Sequence, residues 1–119
     1  AGTIQISDPV LTAVDLIHYQ NKLGGLNRVL PVIEELIEEM IPSDLEELLT
    51  WYSNKSTLQR LGYLLEEQQA EDGLVELLYK YFKSVKHYPV LVSPKSKQKP
   101  GAVDNRWKVD VNITLESDI

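Results

Sequence analysis

The hydrophobic period of the chain changes near its C-terminal end, and this change is the feature that most constrains the fold. From Pro9 to Val85, apolar residues recur every three or four positions, which is the spacing of amphipathic helices. From Trp107 to Glu116, apolar and polar residues alternate, which predicts a strand with one buried and one solvated face. We therefore expect an α+β domain in which a helical bundle carries a small sheet.

Five helices are predicted in the first part of the chain. Their expected ranges are about Pro9 to Lys22, Leu26 to Met40, Ser43 to Tyr52, Asn54 to Gln69 and Asp72 to Val85. Asp8 followed by Pro9 is typical of a helix N-terminus, and the Gly24-Gly25 pair is typical of a helix break. Ser43 and Glu46 have the spacing of a capping box, which places the start of the third helix at Ser43.

The sheet is predicted to be three-stranded and largely antiparallel, formed by an N-terminal strand and a C-terminal hairpin. Its strands are "TIQIS", "PVLVS" and "RWKVDVNITLE". The segment "SPKSKQKPGAVDN" between the last two has two prolines, one glycine and three lysines, so it is predicted to be an exposed loop. Because this loop holds no crossover helix, the two strands that flank it are expected to pair in antiparallel fashion.

Two residues are predicted to fix the packing of the sheet on the bundle. Gly62 lies in the middle of the fourth helix, where glycine is less stable than alanine by up to about 1 kcal/mol. Its presence there predicts a close crossing with another element. Trp107 begins the inward phase of the last strand, so it is predicted to anchor that strand in the core.

Charge is strongly segregated along the chain, whose formal net charge is −6. Residues 1–79 hold 14 acidic and 4 basic side chains, whereas residues 80–108 hold 1 acidic and 8 basic side chains. The acidic balance argues against nucleic-acid binding by the whole surface, but a local basic segment can still contact phosphate. The predicted contacts with nucleic acid or a partner are Lys95, Lys97, Lys99 and Arg106. The alternate spacing of the three lysines suits contact with a phosphate backbone rather than base reading.

No catalytic, cofactor-binding or metal-binding residue is predicted. The chain has no cysteine, and its two histidines have no partners at zinc-ligand spacing. Four glutamates of the second helix lie opposite its apolar stripe, so they are interpreted as a solvated face rather than a metal site. These are Glu34, Glu35, Glu38 and Glu39. We therefore expect no cofactor and no enzymatic activity, and a metal-dependent enzyme is the least favoured alternative.

The length of 119 residues predicts a single domain. No apolar run is long enough to span a membrane and the chain does not start with a signal peptide, so a soluble, cytoplasmic protein is expected. The chain has no initiator methionine and starts within a predicted strand. We therefore expect it to be a fragment of a longer protein whose N-terminal neighbour is absent.

Four stretches, taken in order, resemble the C-terminal domain of AbiEi-type antitoxins, which belong to the type IV abortive-infection toxin–antitoxin systems of bacteria. They are "ISDPVLTAVDLIHY", "GGLNRVLPVIEEL", "STLQRLGYLLE" and "YPVLVSP…PGAVDNRWKVDVNITLESD". The most specific parts are "LQRLGYLLE" and "NRWKVDVN", and the similarity extends over nearly the whole chain.

The resemblance implies a non-enzymatic antitoxin and transcriptional regulator with a role in phage resistance. Family members carry an N-terminal winged-helix domain that binds and represses their own promoter. Their C-terminal domain supports activity against a nucleotidyltransferase-like toxin, which is the implied partner. The missing neighbour would be the winged-helix domain, so the resemblance implies that promoter DNA is bound mainly by a part of the protein outside this chain.

The second hypothesis is a stand-alone nucleic-acid-binding or protein-interaction module that uses the basic hairpin loop. An antitoxin domain predicts protection from a neighbouring toxin without turnover. A nucleic-acid-binding module predicts an affinity that falls steeply as the salt concentration rises.

Overall fold

Five helices precede a two-stranded sheet in the computed structural model, which describes residues 8–93, 105–113 and 115. The helices are α1 (Pro9–His18), α2 (Leu26–Glu39), α3 (Pro42–Leu49), α4 (Lys55–Glu67) and α5 (Asp72–Lys83), and the strands are β1 (Val90–Leu91) and β2 (Val109–Asp110). The predicted α+β class and the five helices are confirmed. Of the helices that the structure describes, none combines the length and the apolar character needed to cross a lipid bilayer.

The ends of α1 follow the local sequence. The Asp8 carboxylate accepts a hydrogen bond from the backbone N–H of Val10 at 2.7 Å, and proline occupies the first turn, as predicted. The helix ends at His18, and the predicted continuation to Lys22 is instead a 3₁₀ turn over Gln20–Leu23. Gly24 and Gly25 then adopt φ angles of 96° and 101°, which side chains with a Cβ rarely accept, so the predicted break is confirmed.

The start of α3 differs from the prediction. Pro42 is the first residue of α3, and Ile41 precedes it in an extended conformation with no side-chain capping bond. Proline suits the first helical position because it has no N–H to satisfy, and it disfavours helical geometry in the residue before it. The helix therefore begins one residue earlier than expected, and the predicted cap at Ser43 is wrong.

Helix α1 lies at the centre of the bundle. It contacts α2, α3 and α4, while α5 packs against α3 and α4. The inward side chains of α1 are completely buried, and the predicted apolar stripe of α2 faces the same core. Those of α1 are Val10, Ala13, Val14 and Ile17, and those of α2 are Leu26, Val29, Leu30, Ile33 and Ile37.

The sheet is smaller than predicted and has the opposite strand direction. Strands β1 and β2 are parallel, with Val90 opposite Val109 and Leu91 opposite Asp110. The prediction of an antiparallel hairpin is therefore wrong. The 17 residues of segment 92–108 are long enough for the crossover that parallel strands require, although that segment holds no predicted helix. The predicted third strand, "TIQIS", lies outside the described residues.

The last strand is two residues long, and beyond it a side chain takes the place of the backbone hydrogen bonds between strands. Lys108 has a φ of 57°, which interrupts the extended conformation before Val109. Asn112, which the alternation placed on the solvated face, is buried. Its amide donates to the carbonyl of Ser93 at 2.9 Å and accepts from the N–H of Ser93 at 3.0 Å. A side chain thus continues the contact beyond the point where backbone pairing ends.

Candidate nucleic-acid and partner interface

Helix α4 holds the C-terminal segment in place with side-chain hydrogen bonds. The buried Gln59 amide donates to the carbonyls of Tyr88 and Trp107 at 2.8 and 2.9 Å. Arg60 donates through Nε to the carbonyl of Leu91 at 2.8 Å, and burial lowers its pKa from the ordinary value. Two adjacent residues of one helix turn therefore fix both segments that form the sheet.

The indole of Trp107 lies directly on Gly62 of α4. A Cβ atom at Gly62 would lie 2.3 Å from Cε3 of the indole, far inside van der Waals contact. Trp107 itself is 0% exposed. Both predictions for this pair are confirmed, since Gly62 marks a close crossing and Trp107 is a core anchor.

Arg106 extends the same junction to the surface. Its Nε donates to Oε1 of Glu66 at 2.5 Å, and the same oxygen accepts a hydrogen bond from the indole N–H of Trp107 at 2.6 Å. Its Nη1 lies 3.5 Å from a carboxylate oxygen of Glu76, and its guanidinium lies 4.4 Å from the centre of the Tyr79 ring. The bond to Glu66 raises the pKa of Arg106. Arg106 is exposed, but two carboxylates and an aromatic ring already compete with a phosphate for its guanidinium.

The other three predicted contact residues, Lys95, Lys97 and Lys99, lie outside the described residues. Their contact with nucleic acid or a partner stays a prediction, as does that of Arg106. The structure does place the two strands that flank the basic segment, β1 and β2, against α4.

Two lysines bind the backbone of residues 86–87 with their ammonium groups, and together with Lys86 itself we call them the lysine cluster: Lys55, Lys86 and Lys108. The ammonium group of Lys55 donates to the carbonyl of Lys86 at 2.8 Å, and that of Lys108 donates to the carbonyl of His87 at 3.2 Å. Lys55 and Lys86 line a shallow cleft of about 160 Å³ together with Tyr88, whose side chain is 68% exposed. Ammonium groups next to an exposed aromatic ring suit phosphate contact and base stacking.

Lys55 is the member of the cluster that the sequence did not reveal. It lies in the acidic part of the chain, 31 residues before Lys86, so no charge run includes it. One signal was available, because a cation in the first turn of a helix is unfavourable next to the positive end of the helix dipole. The hydrogen bond from Lys55 to the carbonyl of Lys86 offsets this unfavourable interaction with the helix dipole.

The described residues contain no arrangement that suggests a metal centre. Within residues 8–93, 105–113 and 115, no group of three His, Cys, Asp or Glu side chains is placed to hold a metal ion. On α2, Glu35, Glu38 and Glu39 are exposed, in agreement with a solvated face. His18 is engaged with Asn54, whose amide nitrogen lies 3.1 Å from Nδ1 of the imidazole.

Comparison with known proteins found a match to one protein family. A family model described as the AbiEi antitoxin C-terminal domain matches residues 1–67, which is more than half of the chain. The match ends at the last residue of α4. No curated protein and no solved structure matches the chain.

Proposed function

This chain belongs to the AbiEi antitoxin C-terminal domain family, and we propose that it counteracts a nucleotidyltransferase-like toxin and supports promoter repression by the full-length protein. The observation that carries the proposal is the family match over residues 1–67. The promoter itself would be bound mainly through the winged-helix domain that family members carry outside this domain. The chain would act without turning over a substrate.

The lysine cluster supports a role in contacts with a nucleic-acid backbone. Ammonium groups neutralise phosphates without reading bases, so they add affinity and orientation to a protein whose sequence recognition lies elsewhere. Lys95, Lys97 and Lys99 belong to the segment that connects β1 to β2, and both of these strands contact α4. We propose that they extend the phosphate contacts of the cluster.

A growth rescue tests the proposed function. The chain is co-expressed with the toxin encoded next to its parent gene, beside a variant in which Lys95, Lys97 and Lys99 are replaced by glutamate. We expect the unchanged chain to restore growth and the charge-reversed chain to lose most of that effect. Arg106 is kept in both, because its replacement would disturb the junction with Glu66. Absence of rescue by a folded and abundant chain would contradict the antitoxin role.

The exposed aromatic ring beside the lysine cluster favours a second candidate, an independent nucleic-acid-binding module. Replacing all three cluster lysines by glutamine removes their charge but keeps their hydrogen-bonding capacity. We expect this triple variant to bind duplex DNA more weakly. The slope of log K against the logarithm of salt concentration should become less negative by about 2.7, at about 0.9 for each of three lost phosphate contacts. Fluorescence anisotropy over a range of salt concentrations measures this slope.

A matched control removes three positive charges from outside the cluster. Replacing Lys22, Arg28 and Lys80 by glutamine changes the net charge by the same amount. If this control changes the salt slope as much as the cluster variant does, the binding is a general charge effect and the cluster has no specific role.

A further inference from the structure

A second surface feature lies where the end of α1, the turn after α3 and the start of α4 meet. It is a cleft of about 350 Å³ lined in part by Asp15, Tyr19, Trp51, Tyr52 and Asn54. Two of its aromatic side chains are accessible, since Trp51 is 59% exposed and Tyr19 is 48% exposed. Aromatic rings and a carboxylate therefore line the same open cleft.

The walls of the cleft are held by hydrogen bonds between α1 and α4. Asn54 caps α4 by accepting a hydrogen bond from the N–H of Thr57 at 3.1 Å. The amide nitrogen of Asn54 lies 3.1 Å from Nδ1 of His18 on α1. The rings of Trp51 and Tyr52 contact each other edge to face at 5.7 Å. This arrangement fixes the separation of the two helices before a ligand binds, so little ordering is needed on binding.

The electrostatics of the cleft favour a cation. Burial raises the pKa of Tyr52 and the Asp15 carboxylate raises it further, while a hydrogen bond with Thr57 acts in the opposite direction. Asp15 lines the cleft together with Tyr52, so its negative charge lies beside any group bound there. Nζ of Lys22 lies 5.6 Å from the centre of the Tyr19 ring, so a cation of the chain itself already occupies one face of Tyr19, and the exposed ring of Trp51 is the face left for a ligand. A phosphate group would be repelled by Asp15.

We propose that this cleft binds an arginine side chain of a basic protein partner. A guanidinium is planar, so it can stack on an exposed aromatic face while its N–H groups donate to a carboxylate, which a lysine ammonium does less well. Trp51 offers the exposed ring face and Asp15 offers the carboxylate. The partner is expected to be basic because the described residues that line the cleft include the carboxylate of Asp15 and no lysine or arginine.

This inference goes beyond the proposed function and does not depend on it. The lysine cluster attracts phosphate and uses other residues, so loss of one surface leaves the chemistry of the other unchanged. Its failure can therefore be distinguished from a failure of the antitoxin proposal, which the growth rescue tests separately.

Tryptophan fluorescence tests the cleft directly. The chain has two tryptophans, of which Trp107 is completely buried and Trp51 is exposed at the cleft, so a ligand added from solution acts on the emission of Trp51. The probe is the peptide acetyl-Gly-Arg-Gly-amide, and the control peptide carries citrulline, which has the same shape without the charge. We expect saturable binding of the arginine peptide and binding of the citrulline peptide weaker by about tenfold or more.

Two variants locate the effect. Asp15→Asn is expected to weaken binding of the arginine peptide about fivefold. Glu38→Gln removes one negative charge from an exposed position on α2 and is expected to leave binding unchanged. Circular dichroism verifies that both variants are folded. Equal binding of the two peptides, equal effects of the two variants, or tighter binding of adenosine monophosphate than of the arginine peptide would each overturn the proposal.

Discussion

Replacing Gly62 by alanine is expected to lower the free energy of unfolding by about 3 kcal/mol, because the new methyl group has no room. The Cβ atom would lie 2.3 Å from Cε3 of Trp107 and 2.5 Å from two further ring carbons. The indole cannot easily move aside, since it is completely buried and its N–H is bonded to Glu66 at 2.6 Å. Alanine adds helix propensity of about 1 kcal/mol, which offsets only part of the clash. Urea unfolding followed by circular dichroism measures the change.

Gly73→Ala is the matched control. Gly73 also lies in a helix, but a Cβ atom there would meet its nearest atom, Cγ of Pro42, at 3.4 Å. We expect the free energy of unfolding of this variant to exceed that of the unchanged chain by about 1 kcal/mol or less. If Gly62→Ala is as harmless as Gly73→Ala, the close crossing of α4 and Trp107 does not hold in solution.

The helices and their crossing point could be predicted because they depend on local signals. Apolar spacing gives the buried face of α2, Asp8 and Pro9 give the start of α1, and Gly62 indicates a neighbour that comes too close for a side chain. Each of these signals is carried by residues within a few positions of the feature it predicts. The identity of the neighbour of Gly62, 45 positions further along the chain, was not contained in that signal.

The sheet could not be predicted, because a period of two specifies faces and not partners. Alternation from Trp107 is equally compatible with a parallel or an antiparallel neighbour. The alternating pattern also predicts that every polar residue is solvated, whereas Asn112 is buried and its side chain forms two hydrogen bonds with the backbone of Ser93. Asn105 acts in a similar way, since its side chain accepts from the N–H groups of Trp107 and Val109. Side-chain hydrogen bonds of this kind shorten a strand without changing its hydrophobic pattern.

The candidate site was predicted only in part, because charge along the chain does not reveal which charges are already paired. Arg106 belongs to a basic run, yet its partners Glu66 and Glu76 come from helices 40 and 30 residues earlier. Lys55 belongs to an acidic segment, yet it lies beside Lys86. Both placements depend on how α4 and α5 pack, which the sequence specifies only through long-range contacts.

The two stretches that carry the family resemblance most specifically lie against each other in the fold. "LQRLGYLLE" supplies Gln59, Arg60, Gly62 and Glu66, and each of them contacts a residue of the C-terminal segment. "NRWKVDVN" supplies Trp107, which contacts three of the four. The family match ends at residue 67, so this contact joins the matched part of the chain to the part beyond it.

Replacing Trp107 by alanine is expected to have the largest effect of any single change, a loss of about 4 kcal/mol, because it empties the largest completely buried side-chain position. Trp107→Phe keeps a ring over Gly62 but removes the donor to Glu66, so we expect a loss of about 2 kcal/mol. Trp51→Ala is the control, since that side chain is 59% exposed and its removal should change the free energy of unfolding by about 0.5 kcal/mol or less. Similar losses for both tryptophans would contradict the assignment of Trp107 as the anchor.

A double-mutant cycle then measures how strongly α4 and the C-terminal segment depend on each other. When Trp107 is already alanine, the methyl group of Gly62→Ala has space, and its helix propensity should make the second change neutral or stabilising by about 1 kcal/mol. The coupling energy between the two positions would then be about 3 kcal/mol or more, and the same cycle with Trp107→Phe serves if the alanine variant is too unstable. Coupling of this size requires both segments to be folded at the same time, so the segment around Trp107 would unfold together with α4 as one cooperative unit. Additive losses would instead mean that the C-terminal segment separates from α4 before the bundle unfolds.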